Sequence, residues 1–232
     1  MKRILLAFSL LAAISSQAQT SFGVHGNVIG SNVSTTGDEE VGGLKQRYSW
    51  KFGVTANTPL GARFSFNPQL NVLEKGARIK STGSDEFGGM PFTYNIKGYV
   101  KYTYLEIPLN FVYNEPLAKG GTFFIGAGPS VSYGLGGSTS ITATTTSGGV
   151  TDTESDQSNV RFDGDKNPND DDVHFKAIEL GANFLTGYRF ASGLFLNAHV
   201  NVGLSNIETE EDAKTKNTYF GIGVGYYFKR KK

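Results

Sequence analysis

Residues 194–204 read LFLNAHVNVGL, and the two faces of this stretch decide the fold class. Alternate residues of a β-strand point to opposite faces. One face carries only aliphatic side chains, namely Leu194, Leu196, Ala198, Val200, Val202 and Leu204. The other face carries Phe195, Asn197, His199, Asn201 and Gly203. A soluble barrel needs a charged outer face, and neither face here is charged. An aliphatic outer face around a small, polar interior is typical of a strand that faces lipid.

The same alternation recurs along the chain. We predict eight strands, at about 20–33, 47–58, 63–80, 93–113, 121–134, 173–190, 194–206 and 217–228. The polar links at 34–46, 81–92, 135–172 and 207–216 are long, whereas those at 59–62, 114–120 and 191–193 are short. Long and short links alternate when an up-and-down barrel has two inequivalent ends, with short turns in the periplasm and long loops outside. A soluble lipocalin-like barrel has no reason to separate loop lengths so cleanly. The sequence therefore predicts an all-β fold, an eight-stranded antiparallel up-and-down transmembrane β-barrel.

The N-terminus predicts export. Lys2 and Arg3 precede an apolar run over 4–14, and residues 16–18 give a small-x-small cleavage pattern, so we expect a signal peptide at 1–18 and a barrel domain at 19–232. The chain has no cysteine, which excludes a disulfide framework. Without Lys2 and Arg3, 20 basic residues face 21 acidic ones, so no bulk charge attracts nucleic acid. We expect the outer membrane of a Gram-negative bacterium.

A charged lumen is the main site prediction. In 102–113, Leu105, Ile107 and Leu109 share the apolar face, so Glu106 points into the barrel. An unpaired carboxylate is costly to bury, which calls for cations nearby. By parity we place in the same network Lys51, Arg63, Glu179, Arg189, His25 and His199. Similar heights above the short turns make Lys51 the expected partner of Glu106, with Arg63 and His25 as substitutes.

Two polar stretches invite sharper interpretations. Asp163, Asp165 and Asn167 set oxygen ligands at alternate positions, as calcium loops do, but Pro168 stands where an EF-hand loop needs glycine. We expect a solvated acidic loop there and keep calcium as an alternative. The Thr/Ser-rich run over 138–158 has few apolar residues, which predicts a mobile external loop, with contact to a protein or glycan as its functional interpretation. No motif indicates a cofactor.

Four segments carry a family resemblance: YLEIPLNFVY at 104–113, GAGPSVSYGL at 126–135, the long stretch LGANFLTGYRFASGLFLNAHVNVGLSNI at 180–207, and KNTYFGIGVGYYFKRKK at 216–232. The chain resembles the PorT-like outer-membrane barrels of Bacteroidetes over essentially its whole mature length. The resemblance implies an eight-stranded barrel, and a few relatives are tied to type IX secretion. The chain departs from many outer-membrane barrels in that Lys229, Arg230, Lys231 and Lys232 follow the last aromatic residue.

Three function classes follow. We favour a non-enzymatic, monomeric scaffold in outer-membrane lipid that meets other envelope or secretion proteins. A small, porin-like pore is an alternative, although Tyr102, Tyr104, Tyr219 and Tyr227 would fill much of the lumen. A lipid-modifying enzyme is another, but such chemistry needs a nucleophile and a base that face lipid, and parity turns His25 and His199 inward.

Overall fold

The computed structural model describes residues 20–36, 43–118, 120–165, 170–209 and 213–228. They form ten β-strands: β1 Ser21–Thr36, β2 Leu44–Pro59, β3 Phe64–Phe87, β4 Met90–Pro116, β5 Thr122–Ser147, β6 Val150–Arg161, β7 Val173–His174, β8 Ile178–Arg189, β9 Leu194–Gly203 and β10 Lys214–Tyr227. Within these ranges no helix is long and apolar enough to cross a membrane. The predicted signal peptide, Asn167 and the basic tail at 229–232 lie outside the described residues.

Eight of the strands close into a ring. In ring order they are β1, β2, β3, β4, β5, β8, β9 and β10, and each is antiparallel to its neighbours. The last strand pairs with the first, from Gly23 opposite Tyr227 to Thr36 opposite Lys214, so the ring has no free edge along this seam. Closure satisfies the backbone groups that lipid cannot, and the predicted eight-stranded barrel is confirmed.

The two faces of the wall follow the predicted alternation. On β10, Phe220, Ile222 and Val224 are exposed on the outer surface. Tyr219, which precedes them, points inward and is 1% exposed. The next three interior positions of β10 are glycines, at 221, 223 and 225. These glycines leave room for larger neighbours, because a Cβ at Gly223 would stand 2.0 Å from the Asn27 Oδ1 atom. The outer surface of the wall is apolar and the lumen is filled with side chains, as expected of a membrane barrel of eight strands.

Two predicted loops are wrong, because both are regular β-hairpins. Residues 81–92 continue β3 and β4 through a turn at Gly88 and Gly89, and most of 135–161 continues β5 into β6 through Gly148 and Gly149. The backbone φ angle is positive at all four glycines, from +57° to +83°. Two-residue hairpin turns that follow the strand twist need such angles, which glycine adopts without strain.

The hairpins form one sheet that extends the barrel wall, made of residues 80–87 of β3, 90–101 of β4, 137–147 of β5 and 150–160 of β6. We call it the extracellular sheet, after the side of the membrane on which the long links are expected. The Thr/Ser-rich run was expected to be mobile because it lacks apolar residues. Instead β5 pairs with β4 on one side and β6 on the other, so two ladders of hydrogen bonds hold a threonine-rich segment that already favours strands. The strand predicted at 173–190 is also interrupted, since 173–174 pair with β6 and β8 begins at Ile178.

Candidate functional site

Two lysines and two glutamates meet at mid-height in the lumen. Lys51 Nζ lies 3.1 Å from Glu106 Oε1, and Lys75 Nζ lies 3.1 Å from Glu179 Oε1. A third contact of 3.8 Å joins Lys75 Nζ to Glu106 Oε2 and so links the two pairs. All four side chains are at most 2% exposed. The charges cancel, so no net charge is buried, and the ion pairs offset part of the cost of removing the four groups from water. We call these four residues the lumen quartet.

Polar and aromatic neighbours form hydrogen bonds and ring contacts with the quartet. The Tyr219 hydroxyl lies 2.7 and 2.9 Å from the two carboxylate oxygens of Glu106 and accepts a hydrogen bond of 3.0 Å from Lys51. Asn217 donates to Glu179 over 2.8 Å, and Lys75 Nζ stands 4.7 Å from the ring centre of Tyr104. Ammonium groups are attracted to ring faces, so the tyrosines stabilise both lysines as well as filling the lumen.

The expected partnership of Glu106 with Lys51 is present, but the proposed network was too wide. Arg63 is not in the lumen: its side chain is 54% exposed at the short turn, where it pairs with Glu115 and donates to Tyr113. Arg189 is half-buried at the end of β8, beside the short turn to β9, and its guanidinium lies 5.8 Å from the centre of the Tyr227 ring. Arg63 lies just before β3 begins, where strand parity no longer fixes the direction of a long side chain. Arg189 keeps the predicted inward direction, since it stands opposite the buried Phe195, but among the described residues it makes no ion pair with the quartet.

The two histidines of the prediction are buried in the lumen but belong to a neighbouring cavity. Asn27 donates to His25 Nδ1 over 2.8 Å, His199 Nδ1 lies 3.3 Å from Asn197 Oδ1, and both Nε2 atoms have no protein partner. They line a polar cavity of about 30 Å³ between the quartet and the short turns. That volume holds about one water molecule.

On the other side of the quartet the lumen widens into an apolar cup of about 240 Å³. Its walls include Val33, Leu44, Ile79, Val100 and Phe175, with the Glu208 carboxylate at its edge. The quartet with Tyr104 and Tyr219 separates the cup from the polar cavity, and these six side chains are at most 2% exposed. Since these side chains are almost fully buried, the described residues leave no water-wide passage through this level.

A second polar cluster closes the segment between β6 and β8, and we call it the loop clasp. His174 lies 2.8 Å through Nδ1 from Asp163 and 2.9 Å through Nε2 from Asp170, while Arg161 pairs with Asp172. The two aspartates raise the pKa of His174, and the hydrogen bond from His174 lowers the pKa of Asp163.

The calcium alternative finds no assembled site in the described part of the chain. The Asp163 carboxylate is engaged by His174 and by the backbone of Asp165, and Asn167 is outside the described residues. Among the residues that the structure describes, no group of three or more His, Cys, Asp or Glu side chains could hold a metal ion.

The barrel fold agrees with a comparison of the chain with protein families. A family described as the outer membrane protein beta-barrel domain matches residues 16–209. The chain belongs to this family. This outer-membrane barrel therefore resides in the outer membrane of a Gram-negative bacterium, with the apolar outer face of its wall in lipid. The narrower resemblance to PorT-like proteins of Bacteroidetes stays a prediction.

Solved structures resemble this barrel only distantly. The attachment invasion locus protein Ail of Yersinia pestis is 11% identical, with 89% of this chain and 98% of that chain covered and a TM-score of 0.33. Neisserial surface protein A is 13% identical, with 90% and 99% covered and a TM-score of 0.40. OprG of Pseudomonas aeruginosa is 12% identical, with 92% and 98% covered and a TM-score of 0.38. No curated protein matches the chain.

Sequence reasoning missed Lys75, the second cation of the quartet. The signal was present, because Lys75 is four residues from Asn71 and shares its interior face, and Asn71 pairs with Glu106 in the strand register. The Gly-Gly pairs at 88–89 and 148–149 were a second missed signal, since such dipeptides between strand-forming residues indicate hairpins.

Proposed function

We propose that this outer-membrane barrel is a non-enzymatic, non-conducting scaffold that binds another protein through the extracellular sheet. The observation that carries the proposal is the outer edge of β6. Residues 150–160 pair with β5, but on the other side the described residues supply only β7, which pairs at Val160 and Arg161. The backbone groups of 150–159 that face away from β5 therefore have no strand beside them.

An unpaired edge strand is a template for strand addition by a partner. The side chains of β6 make the edge selective. Asp152, Glu154 and Asp156 alternate along it and share one face, while Thr151, Thr153 and Ser155 occupy the other. All six are exposed. The same charges discourage the pairing of two β6 edges, because like charges would be brought together. The favoured partner is an extended protein segment with basic residues at alternate positions.

The lumen argues for a scaffold over the two other function classes. A pore needs a water-wide passage, and the lumen quartet with Tyr104 and Tyr219 fills the barrel at mid-height. A lipid-modifying enzyme needs a base that faces lipid, whereas His25 and His199 are buried inside and His174 is held in the loop clasp. The resemblance to PorT-like proteins makes protein secretion the process to test first.

The test uses a strain in which the gene for this barrel is deleted and which is complemented with the wild-type barrel or with variants whose hairpins are shortened. The secreted and surface proteins of each strain are then profiled. Removing residues 144–147 and 150–153 keeps Gly148 and Gly149 as the turn and keeps the register, because Ala143 stays opposite Glu154. The matched control removes 84–87 and 90–93, which shortens the β3–β4 hairpin equally and leaves Gly83 opposite Tyr94. We expect wild type and the control to restore the profile, and the shortened β6 edge to fail.

Photo-crosslinking in cells gives an independent readout. A photoreactive residue at Gln157 on the β6 edge should give a discrete protein adduct, whereas one at Thr82 on the opposite edge of the sheet should not. All variants must first show heat-modifiable gel mobility in the outer-membrane fraction. Full complementation by the shortened β6 edge, together with no adduct at Gln157, would refute the proposal.

A further inference from the structure

Five basic side chains project from the outer face of the wall just above its apolar band. We call them the outer basic patch: Lys45 on β2, Arg78 and Lys80 on β3, and Lys97 and Lys101 on β4. Their direction follows from their neighbours, because Leu44, Ala77, Ile79, Val100 and Tyr102 line the apolar cup. Residues adjacent to these in a strand point the opposite way, and Lys97 shares the face of Lys80, which it opposes in the register. Four of the five are exposed and Lys101 is half-exposed.

The patch places like charges against one another without compensation. In the strand register Lys45 stands opposite Arg78 and Lys80 opposite Lys97. Like charges directly opposite on a sheet are destabilising. In the described part of the chain no carboxylate pairs with any of the five. The outward carboxylate of Glu74 on the same wall is paired with Arg47.

The height of the patch identifies what could supply the missing negative charge. The outward residues of β4 are apolar from Tyr113 to Leu105, about 26 Å along the strand and about 20 Å in height at a tilt of about 40°. By the same geometry Lys101 lies about 10 Å above Leu105, and Lys97 about 20 Å above it. The headgroup layer of a phospholipid bilayer is only about 5 to 8 Å thick. The patch therefore begins at that layer and extends well beyond it.

We propose that the outer basic patch binds the phosphorylated saccharide headgroup of an outer-leaflet glycolipid. A headgroup of several sugars with phosphates at more than one height matches cations spread over about 10 Å of wall. Arg and Lys are the side chains that recognise phosphate, Arg through two parallel hydrogen bonds. Binding would neutralise both like-charged pairs. This site lies on the wall of β2–β4 and is independent of the β6 edge, so either proposal can fail alone.

The experiment measures affinity for defined lipids with the full barrel in neutral detergent micelles. The probe is purified lipopolysaccharide with phosphorylated inner-core sugars, alongside the same glycolipid after chemical dephosphorylation. The patch variant is Lys80→Ser with Lys97→Ser, and the control, Arg63→Gln with Lys176→Ser, removes two exposed charges elsewhere. Each Lys or Arg near an anionic membrane surface is worth roughly fivefold in affinity, so we expect about a 25-fold loss for the patch variant. The control should bind as wild type does.

Several results would each overturn the assignment. They are equal affinities of the patch and control variants, equal binding of the phosphorylated and dephosphorylated glycolipid, or a loss of the same size on phosphatidylglycerol vesicles. Competition by millimolar inorganic phosphate would also count against it, since a built headgroup site should need more than one phosphate. Heat-modifiable mobility of each variant shows that the barrel is folded. A loss that also shrinks as salt rises agrees with charge recognition.

Discussion

Lys51 and Glu106 are 55 positions apart in the chain, yet their charged atoms lie 3.1 Å from each other across the lumen. The strands that carry them, β2 and β4, are both neighbours of β3. In the register Lys51 stands opposite Leu73 and Asn71 opposite Glu106. A slip of one residue between any two of these strands would turn one partner outward into lipid. The ion pair therefore fixes strand register as well as charge.

Glu106→Gln should destabilise the barrel by about 3 kcal/mol, because two buried lysines would then share only Glu179. Adding Lys51→Gln should recover part of this loss, since the second change restores a balance of one cation and one carboxylate. Urea titration of the refolded barrel measures both. If the two losses simply add, Lys51 and Glu106 are not coupled.

Tyr219→Phe isolates the hydroxyl contribution to the same cluster. The hydroxyl serves both Glu106 and Lys51, and hydrogen bonds to charged groups are worth about 1.5–3 kcal/mol, so we expect a loss in that range. Tyr99→Phe removes a hydroxyl from an exposed ring and should change the free energy of unfolding by less than about 0.5 kcal/mol. Equal effects of the two substitutions would contradict the geometry.

Arginine on the outer face tests the membrane position of the wall. Val200 is exposed on β9, and Val200→Arg should cost about 2–4 kcal/mol near the middle of the bilayer. Thr145→Arg, at an exposed position of the extracellular sheet, should cost almost nothing. Folding titrations into lipid vesicles give both values. Similar tolerance at the two positions would mean that the strands face lipid with their other side.

The loop clasp should weaken at alkaline pH. The pKa of His174 is raised above 6.5 by Asp163 and Asp170, so its contribution to stability is complete below 6.5 and is lost as the pH rises through the raised pKa. The pKa values of both aspartates are lowered from 3.8, so their contribution holds above 3.8 and is lost as the pH falls through the lowered values. The clasp is strongest between these limits.

An NMR titration of the His174 ring protons in the refolded barrel measures this directly, with His174→Asn to assign the signal. Asp163→Asn and Asp170→Asn should each bring the pKa of His174 back toward 6.5. A wild-type pKa at or below 6.5 would show that the clasp does not form in solution.

Amide exchange tests the extracellular sheet. Residues 139–146 of β5 are paired on both sides, so they should exchange slowly, whereas 150–158 of β6 should protect mainly the amides that point to β5. Deuterium uptake followed by mass spectrometry resolves the two segments. Complete exchange of 139–146 within seconds would support the mobile loop that composition alone predicted.

The barrel itself could be predicted from the sequence because lipid imposes a two-residue period on every wall strand. That period also placed Glu106, Lys51 and Glu179 inside. It failed at Arg63, because a long side chain at the end of a strand follows the nearest partner, here Glu115. The hairpins above the membrane were missed for a different reason. Both faces of those strands are solvated, so their sequence has no two-residue apolar period. Only their glycine turns and their pairing with the wall strands identify them as hairpins.

The seam between β1 and β10 decides when the lumen quartet can form. Tyr219, which bonds both Lys51 and Glu106, lies on the last strand, and that strand reaches its place only when it joins β1. Until then the two lysines and two glutamates face an open trough that water can enter. The pairing of β10 with β1 therefore closes the wall and also removes water from the charged side chains inside it. A chain that lacked β10 would leave that trough open along one side.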